Sequence, residues 1–384
     1  MKIGIILPGF SASQDDWCIP ALLDLARSLA SRSDIQLHLF PLRYPHHRTP
    51  YDLFGARVHP LGGADARGAG RVPLLSRAVR AVWKEHQRGP FDLLHAFWAD
   101  EPGLVAVTCA NLLRIPSIVS LAGGELADLP EIAYGGQLNT ANRLMTRTAM
   151  RRAKYVTAGS RYLQNRAEQR LNKPVSRLPL GVDIARFSPD DARGPTSGST
   201  LLLSVASLVQ VKDHSTLLAA FAATREQFPD ARLSLIGDGP LRNSLLRRAE
   251  ELDVADSVTF HGDLPHDRLP ALFRSADLCI LSSRFEAQGM VALEAAACGT
   301  PTIGTRVGVI PEFIGNEAVD VGDAAGLGQC MQRLLQDRSG LCELGAQALS
   351  TVRSEFTLEV TTERLFGLYL DTVAGYQRAH AHAV

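Results

Sequence analysis

Short apolar, β-rich runs alternate with amphipathic helical patterns in two successive series along the chain. This alternation is the feature that most constrains the fold. The first series predicts strands at residues 2–7, 35–40, 91–97, 116–121 and 154–159. The second series predicts strands at residues 200–206, 231–237, 257–262, 277–283 and 300–305. Strands that alternate with helices form a parallel sheet that helices cover on both faces. The sequence therefore predicts an α/β fold with two doubly wound, Rossmann-like domains.

Residues 179–200 separate the two series and are rich in Pro, Gly, Asp and Ser, which is typical of a linker or hinge. The chain has 384 residues, more than one ordinary hydrophobic core accommodates. We therefore predict a first domain over residues 1–182 and a second over 183–357. A last helical pattern in 358–384 is expected to pack back on the first domain. Ligands of such sheets bind outside the carboxyl ends of the strands, so the two domains are expected to face a cleft.

The charge of the chain is zero overall but unevenly distributed, with 23 basic and 15 acidic residues in 1–185 and 17 and 25 in the remainder. Zero net charge does not favour a nucleic-acid-binding protein. A basic first half suits an acidic acceptor or an anionic membrane surface, and it suits a polarised soluble protein equally well. The six scattered cysteines, the short N-terminal apolar run and the lack of an 18-residue apolar span predict a cytoplasmic protein without a membrane span.

The stretch SSRFEAQGMVALEAAACGTP (282–301) contains two carboxylates, Glu286 and Glu294, eight positions apart. The pattern is strand, loop and helix, and the free amides of Gly289, Met290 and Val291 at the helix start can bind an anion. Carboxylates accept hydrogen bonds from adjacent hydroxyls, so the two acids could bracket a polyol whose phosphate rests on these amides. The alternative is a solvated loop acid and a helix acid that is paired elsewhere.

Other loops of the second series carry ligand-type residues at the same predicted sheet edge. Lys212 follows the first strand, in SVASLVQVKDH, and is placed to counter a phosphate charge. Gly237 and Gly239 follow the next strand in IGDGP, where they permit a close backbone approach to a ligand. Gly262 and Leu264 follow the third, in HGDLP. A single glycine-rich turn more often has no role beyond the turn itself. The combination of these loops favours a ligand-binding site at this edge of the sheet.

In this half the chain resembles the donor-binding domain of GT-B glycosyltransferases of family 4, the glycosyltransferases group 1 type. Glu286 and Glu294 match the E-x7-E motif of that family. Similar segments are LGVDIARFSP (180–189), SLVQVKDHSTLLAAF, IGDGPLRNSL and GVIPEFI (308–314). Their order and spacing run from about 179 to 315.

The resemblance implies a role for each matching position. Glu294 would hold the nucleotide ribose hydroxyls, and Glu286 would hold hydroxyls of the transferred sugar. The amides of Gly289, Met290 and Val291 would face the sugar and diphosphate, and Lys212 would offset the charge of the departing diphosphate. The nucleotide base would lie between the loops at Gly237, Gly239, Gly262 and Leu264.

The resemblance also implies a retaining reaction without a metal ion or another cofactor. No Asp-x-Asp, the common metal–diphosphate motif of another glycosyltransferase fold, occurs in the sequence. Lysine together with the helix dipole would take the place of the ion.

The chain departs from the family pattern at the phosphate-binding arginine, where it has Ser207. Serine donates one hydrogen bond and brings no charge, so Lys212 or another cation, such as Arg284 or Arg306, must contribute more. The change leaves a non-catalytic sugar-nucleotide-binding or scaffold protein as an alternative. A dinucleotide-dependent oxidoreductase is disfavoured, because no first strand–helix turn reads G-x-G-x-x-G.

The first half offers fewer candidates. Gly9 ends the first strand, where the family has a glycine-rich loop near the sugar and acceptor. In SLAGGELADLPEIAYGG (120–136), Gly123 stands where the family has a histidine, and Gly124 and Glu125 follow. Glu125 is the best polar candidate to contact the transferred sugar or acceptor. His95 is expected to be structural.

Arg143, Arg147 and Arg151 recur at helical spacing and form one basic face. This face is interpreted either as a solvated helix or as peripheral contact with acidic lipids or a phosphate-bearing acceptor.

We predict a retaining glycosyltransferase that moves a hexose-type sugar from a UDP- or GDP-sugar to a hydroxyl acceptor, without a metal ion.

Overall fold

The computed structural model describes residues 1–64, 66, 68–189, 200–314 and 318–381. The chain divides into two compact units, one of residues 1–181 and 358–384 and the other of Val182–Thr357. Part of the predicted hinge, residues 190–199, lies outside the described residues.

The first unit is built on one eight-stranded sheet. Its strands are β1 (Lys2–Gly9), β2 (Gln36–Tyr44), β3 (Tyr51–Leu53), β4 (Ala56–Val58), β5 (Leu93–Phe97), β6 (Ser117–Leu121), β7 (Tyr155–Ala158) and β8 (Ser176–Arg177). The strand order is β3-β4-β2-β1-β5-β6-β7-β8. All neighbouring strands are parallel except the β3–β4 pair.

Six helices belong to the described part of the first unit. They are α1 (Pro20–Ala30), α2 (Arg71–Arg88), α3 (Glu101–Leu113), α4 (Thr140–Arg152), α5 (Arg161–Leu171) and the C-terminal α13 (Leu358–Ala381). Helix α13 packs against α1, and its Leu365 and Tyr369 are fully buried in the core of this unit. The Thr361 hydroxyl also donates to the Pro179 carbonyl at 3.0 Å. The C-terminal helix therefore returns to the first unit, as predicted.

The second unit has one fully parallel, five-stranded sheet. Its strands are β9 (Leu201–Val205), β10 (Arg232–Ile236), β11 (Val258–Gly262), β12 (Leu278–Leu281) and β13 (Thr302–Gly304). Its helices are α6 (His214–Arg225), α7 (Arg242–Glu251), α8 (Leu269–Ser275), α9 (Met290–Ala297), α10 (Ile310–Ile314), α11 (Ala324–Gln336) and α12 (Arg338–Glu355). The strand order is β11-β10-β9-β12-β13. The direction of the chain across the sheet reverses between β9 and β12, where doubly wound sheets bind ligands.

Each unit has a sheet whose strands are parallel, apart from the β3–β4 pair, and this architecture with its helices confirms the predicted fold class. All six cysteines are free thiols. Among the described residues, no helix combines the length and hydrophobicity that a bilayer-spanning segment needs.

Candidate functional site

The candidate site of the second unit is a cavity of about 190 Å³ at the carboxyl ends of β9 and β12. Its lining includes Lys212, Glu286 and the start of α9, together with Ser282 and Ser283. Because β9 and β12 are neighbours at the reversal of strand order, their following loops meet at this point. The structure thus brings together five predicted site residues: Lys212, Glu286, Gly289, Met290 and Val291.

Lys212 and Glu286 form an ion pair inside this cavity. The Lys212 Nζ donates to Glu286 Oε1 at 2.5 Å, and the Ser283 hydroxyl donates to the same oxygen at 2.8 Å. Both charged side chains are only partly exposed. The lysine charge is therefore held at the cavity wall, beside a carboxylate that can accept hydrogen bonds from hydroxyl groups.

The start of α9 faces the same cavity. Gly289 has φ +92°, a left-handed conformation that an L-residue adopts at a cost, and it allows the chain to turn into the helix. Within the described chain no side chain caps this helix end. The amides at the first turn therefore keep the hydrogen-bonding capacity and partial positive charge that suit an anion.

Glu294 does not belong to the lining of this cavity but lies buried in the second turn of α9. Its Oε1 is 2.9 Å from His266 Nε2, and both side chains are buried. His266 also packs edge-on against Phe187, and its Nδ1 lies 3.5 Å from Arg186 Nη1. The motif glutamate is thus held by a histidine that sequence reasoning missed. This histidine lies in the loop after β11, at the carboxyl end of that strand, and that position is the sequence signal from which it could have been predicted.

The segment around Gly308 positions the loop that carries Glu286. Gly308 has φ +58°, and a Cβ there would lie 2.4 Å from the Gln288 carbonyl oxygen. The Val309 amide donates to that same oxygen at 2.8 Å. The predicted motif at 308–314 therefore supports the site through backbone packing, which explains why a glycine is needed at its first position.

The glycines after β10 serve close packing within the chain itself. A Cβ on Gly237 would lie 2.2 Å from the Ala206 carbonyl oxygen, and one on Gly239 would lie 2.6 Å from the Leu208 carbonyl oxygen. Ser207 lies between these two contacts and is exposed. The close approach that we expected toward a ligand is thus made, in this structure, to the loop that contains Ser207.

The loops after β10 and β11 are also joined to each other. The Gly237 amide donates to the Gly262 carbonyl at 2.8 Å, and the Asp238 amide donates to Asp263 Oδ1 at 2.9 Å. Leu264 follows, half-buried against the core of the second unit. The four residues predicted to flank the base therefore lie on two adjoining loops.

The two other cations considered for the diphosphate are engaged elsewhere. Arg284 Nε donates to Asp213 Oδ2 at 2.9 Å, and Asp213 in turn caps α6. Arg306 binds the Ala318 carbonyl and the Asp320 carboxylate. Within the described chain, Lys212 is the only lysine or arginine that lines the cavity.

Glu125 in the first unit is buried and bonded to its own loop. Its carboxylate accepts the amides of Ala122 at 3.0 Å and Gly123 at 2.8 Å. Burial, with a smaller contribution from the Asp100 carboxylate, raises the pKa of Glu125 to about 7. A contact of this side chain with a substrate would require the carboxylate to leave these amides.

The two glycines proposed beside Glu125 and β1 are both tightly packed. A Cβ on Gly124 would lie 2.6 Å from the Tyr134 hydroxyl, and one on Gly9 would lie 3.3 Å from Cys18 Sγ. These glycines therefore leave room for neighbouring side chains.

His95 and the basic helix face also lie in the first unit. His95 is buried, with Nδ1 at 2.8 Å from the Tyr369 hydroxyl and Nε2 at 2.8 Å from Ser120 Oγ, and burial lowers its pKa to about 3. On α4, Arg143, Arg147 and Arg151 are exposed.

Comparison with known proteins gives two family matches that together span most of the chain. Residues 21–186 match Glycosyltransferase Family 4, and residues 190–348 match Glycosyl transferases group 1. The chain is 29% identical over 301 residues to N-acetyl-alpha-D-glucosaminyl L-malate synthase from Bacillus anthracis, covering 75% of this chain and 76% of that protein.

Solved structures share the fold over nearly the whole chain. Sucrose-phosphate synthase from Thermosynechococcus elongatus has a TM-score of 0.79 at 22% identity, covering 98% of this chain and 100% of that one. Anabaena Alr3699/HepE in complex with UDP-glucose has a TM-score of 0.73 at 17% identity, covering 98% and 100%.

Two parallel α/β units of this kind, with the C-terminal helix returned to the first, define the GT-B class of glycosyltransferases. The chain belongs to the group 1 glycosyltransferases of family 4, which confirms the family predicted from its motifs.

Proposed function

We propose that the protein transfers a hexose-type sugar from a UDP- or GDP-sugar to a hydroxyl acceptor, with retention of the anomeric configuration. The acceptor would be a glycan, a lipid-linked saccharide or a small molecule. The observation that carries the proposal is the convergence of Lys212, Glu286 and the start of α9 on one cavity. Its volume of about 190 Å³ is below the roughly 300–1,000 Å³ of pockets that enclose a whole ligand, so it suits only part of the donor.

The chemistry of the reaction assigns a task to each of these groups. The bond between the anomeric carbon and the diphosphate oxygen breaks, and the acceptor oxygen forms a new bond on the same face of the sugar. The acceptor proton passes to the departing diphosphate. The Lys212 ammonium and the α9 amides stabilise the charge that develops on the diphosphate. The Glu286 carboxylate orients sugar hydroxyls, and Glu294 holds the ribose.

The structure of Anabaena HepE contains UDP-glucose, which supports a nucleotide-sugar donor. The Bacillus anthracis relative is named an N-acetyl-alpha-D-glucosaminyl L-malate synthase, which supports a small hydroxyl-bearing acceptor. We propose the same class of donor for this chain, and we propose that the diphosphate needs no metal ion because Lys212 supplies the positive charge.

A donor panel tests the proposal. Thermal shift with UDP, GDP and ADP identifies the base, and release of the diphosphate from each sugar nucleotide identifies the donor. Proton NMR of the product reads the anomeric configuration, and the assay is repeated with a chelator. Nucleotide binding without hydrolysis or transfer from any donor would favour the scaffold alternative that Ser207 raises. A product with inverted anomeric configuration would refute only the proposed retention, and the proposed sugar transfer would stand.

The exposed face of α4 supports a second, separate proposal, contact with the anionic inner face of the cytoplasmic membrane. Arg143, Arg147 and Arg151 share this face with Leu144, which is 64% exposed. Helical spacing places all four within one arc of about 100°. Exposed cations with an apolar side chain at their edge are complementary to acidic headgroups.

Sedimentation with vesicles tests this contact. Replacing the three arginines with Gln should abolish binding to vesicles that contain phosphatidylglycerol, and neutral phosphatidylcholine vesicles should not bind the wild type. A matched variant that replaces the exposed Arg80, Arg247 and Arg353 with Gln should still bind. Equal loss in both triple variants would mean that overall charge, and not this face, drives the association.

A further inference from the structure

Three potential metal ligands from separate elements meet in the first unit: His38, His59 and Glu85. His38 belongs to β2, His59 follows β4, and Glu85 lies in the last turn of α2. His38 Nδ1 is 3.0 Å from His59 Nε2 and 3.7 Å from Glu85 Oε1. All three ligand atoms lie within 4.8 Å of one another.

These separations suit a single ion. Zinc binds histidine nitrogen and carboxylate oxygen at about 2.0–2.2 Å in tetrahedral geometry, which places neighbouring ligand atoms roughly 3.3 Å apart. The two separations from His38 Nδ1 bracket that value, so the two histidine nitrogens have to separate slightly and the Glu85 oxygen has to move closer to His38 Nδ1. Two imidazoles and one carboxylate favour zinc over magnesium or calcium, which prefer oxygen ligands.

The surroundings hold both imidazoles in place. The His38 and His59 rings are nearly parallel, with an interplanar angle of 10° and centroids 5.3 Å apart. Phe40 stacks on His59 with centroids 4.8 Å apart. Phe91 packs edge-on against His38. A neutral imidazole has one nitrogen that donates and one that accepts, so the hydrogen bond between His38 Nδ1 and His59 Nε2 contains one proton. Metal binding requires that this proton move to the outer nitrogen of one ring.

The Glu85 carboxylate already binds one cation, the Lys2 ammonium. Lys2 Nζ is 3.3 Å from Glu85 Oε1, and it also donates to the carbonyls of Glu85 at 3.3 Å and Gly89 at 2.8 Å. An arriving ion therefore takes only one of its three acceptors from Lys2. The other carboxylate oxygen, Oε2, accepts from Arg88 Nη1 at 3.1 Å, which orients the group.

We propose that His38 Nδ1, His59 Nε2 and Glu85 Oε1 form a binding site for a divalent transition-metal ion, with Zn²⁺ as the best match. The ion exchanges with the Lys2 ammonium at the carboxylate, and a water molecule fills the fourth position. Its role is structural, because it ties β2, the end of β4 and α2 together. The proposal is independent of the sugar-transfer reaction, which uses residues of the second unit.

Metal titration of the full-length protein tests the site directly. The protein is stripped with a chelator and titrated with Zn²⁺ and with Co²⁺, whose visible absorption reports tetrahedral coordination by nitrogen and oxygen. His380 and His382 are replaced by Ala in all samples, so that two histidines close together in the sequence do not form a competing metal site. We expect one equivalent of tightly bound ion and a higher melting temperature with Zn²⁺.

Two variants and one control distinguish a site from adventitious binding. His59→Gln should remove the Co²⁺ absorption and the Zn²⁺-dependent rise in melting temperature. The double variant His46→Ala/His47→Ala, at exposed histidines outside the cluster, should retain both. Lys2→Met should bind Zn²⁺ at least about tenfold more tightly, because it removes a positive charge a few ångströms from the ion.

The Lys2→Met result keeps the proposal refutable even where His59→Gln folds poorly. A merely structural ion pair predicts that Lys2→Met lowers stability and leaves metal affinity unchanged. Unchanged Zn²⁺ affinity in Lys2→Met, or one equivalent of Co²⁺ retained in a folded His59→Gln, would overturn the assignment.

Discussion

The Nε2 of His266 and the Oε1 of Glu294 lie 2.9 Å apart, and this contact joins the loop after β11 to the second turn of α9. Both side chains are buried. The second acid of the E-x7-E motif is therefore fixed from inside the second unit, whereas the first acid, Glu286, faces the cavity with Lys212. The two glutamates of one motif occupy different surroundings, and we expect their replacement to have different consequences.

Glu294→Ala should weaken nucleotide binding by about tenfold or more, since a hydrogen bond to a charged group contributes about 1.5–3 kcal/mol. It should also lower stability, because His266 loses a buried partner. Glu286→Ala should leave nucleotide affinity nearly unchanged and mainly lower the transfer rate. Calorimetric titration with the nucleotide and steady-state kinetics with the sugar nucleotide separate the two effects. Equal affinity and equal activity in both variants would refute the assignment.

Lys212→Met should reduce turnover at least about tenfold, which is the usual loss when a charge-stabilising group is removed. Its ion pair with Glu286 makes the double variant Lys212→Met/Glu286→Gln informative, because the effects of substituting two residues in contact do not simply add. We expect the double variant to be less impaired than the product of the single effects. Arg248→Met, at a surface ion pair of the same unit, is the control and should retain full turnover. An unchanged rate in Lys212→Met would mean that another cation serves the diphosphate.

Gly237→Ala should destabilise the second unit by at least about 2 kcal/mol, because the new Cβ meets the Ala206 carbonyl and φ is +125°. Gly262→Ala is the matched comparison. It has φ +72°, but its Cβ would come no closer than 4.0 Å to another group, so backbone strain alone should cost about 1 kcal/mol. Urea unfolding of both variants measures the difference. A larger loss in Gly262→Ala would contradict the close contact at Gly237.

Glu125 should make stability depend on pH. Burial raises its pKa to about 7 in the folded protein from an ordinary 4.5. Between these values the folded state holds a proton that the unfolded state has released, so stability falls as the pH rises from about 4.5 to about 7. The full change is up to about 3 kcal/mol. Melting temperatures across this range should decline less steeply in Glu125→Gln, and parallel curves for the two proteins would show that the carboxyl does not titrate there.

Much of the fold was predictable because buried parallel strands and amphipathic helices leave a clear periodicity. The strand predicted at 277–283 is observed as β12 (Leu278–Leu281), and the helix predicted to start after Gly289 begins at Met290. The short strands β3, β4 and β8 were missed, since two or three residues carry too little periodic signal. They pair only because longer neighbours already offer a sheet edge.

The sequence by itself determined the repeated α/β alternation, the helix start after Gly289 and the family motifs, because each is a property of neighbouring residues. Only the tertiary structure decided which groups meet. It paired Lys212 with Glu286 and Glu294 with His266, and it turned the glycines after β10 toward the loop of Ser207. These contacts join residues far apart in the chain, and packing of whole elements, not local pattern, sets their distances.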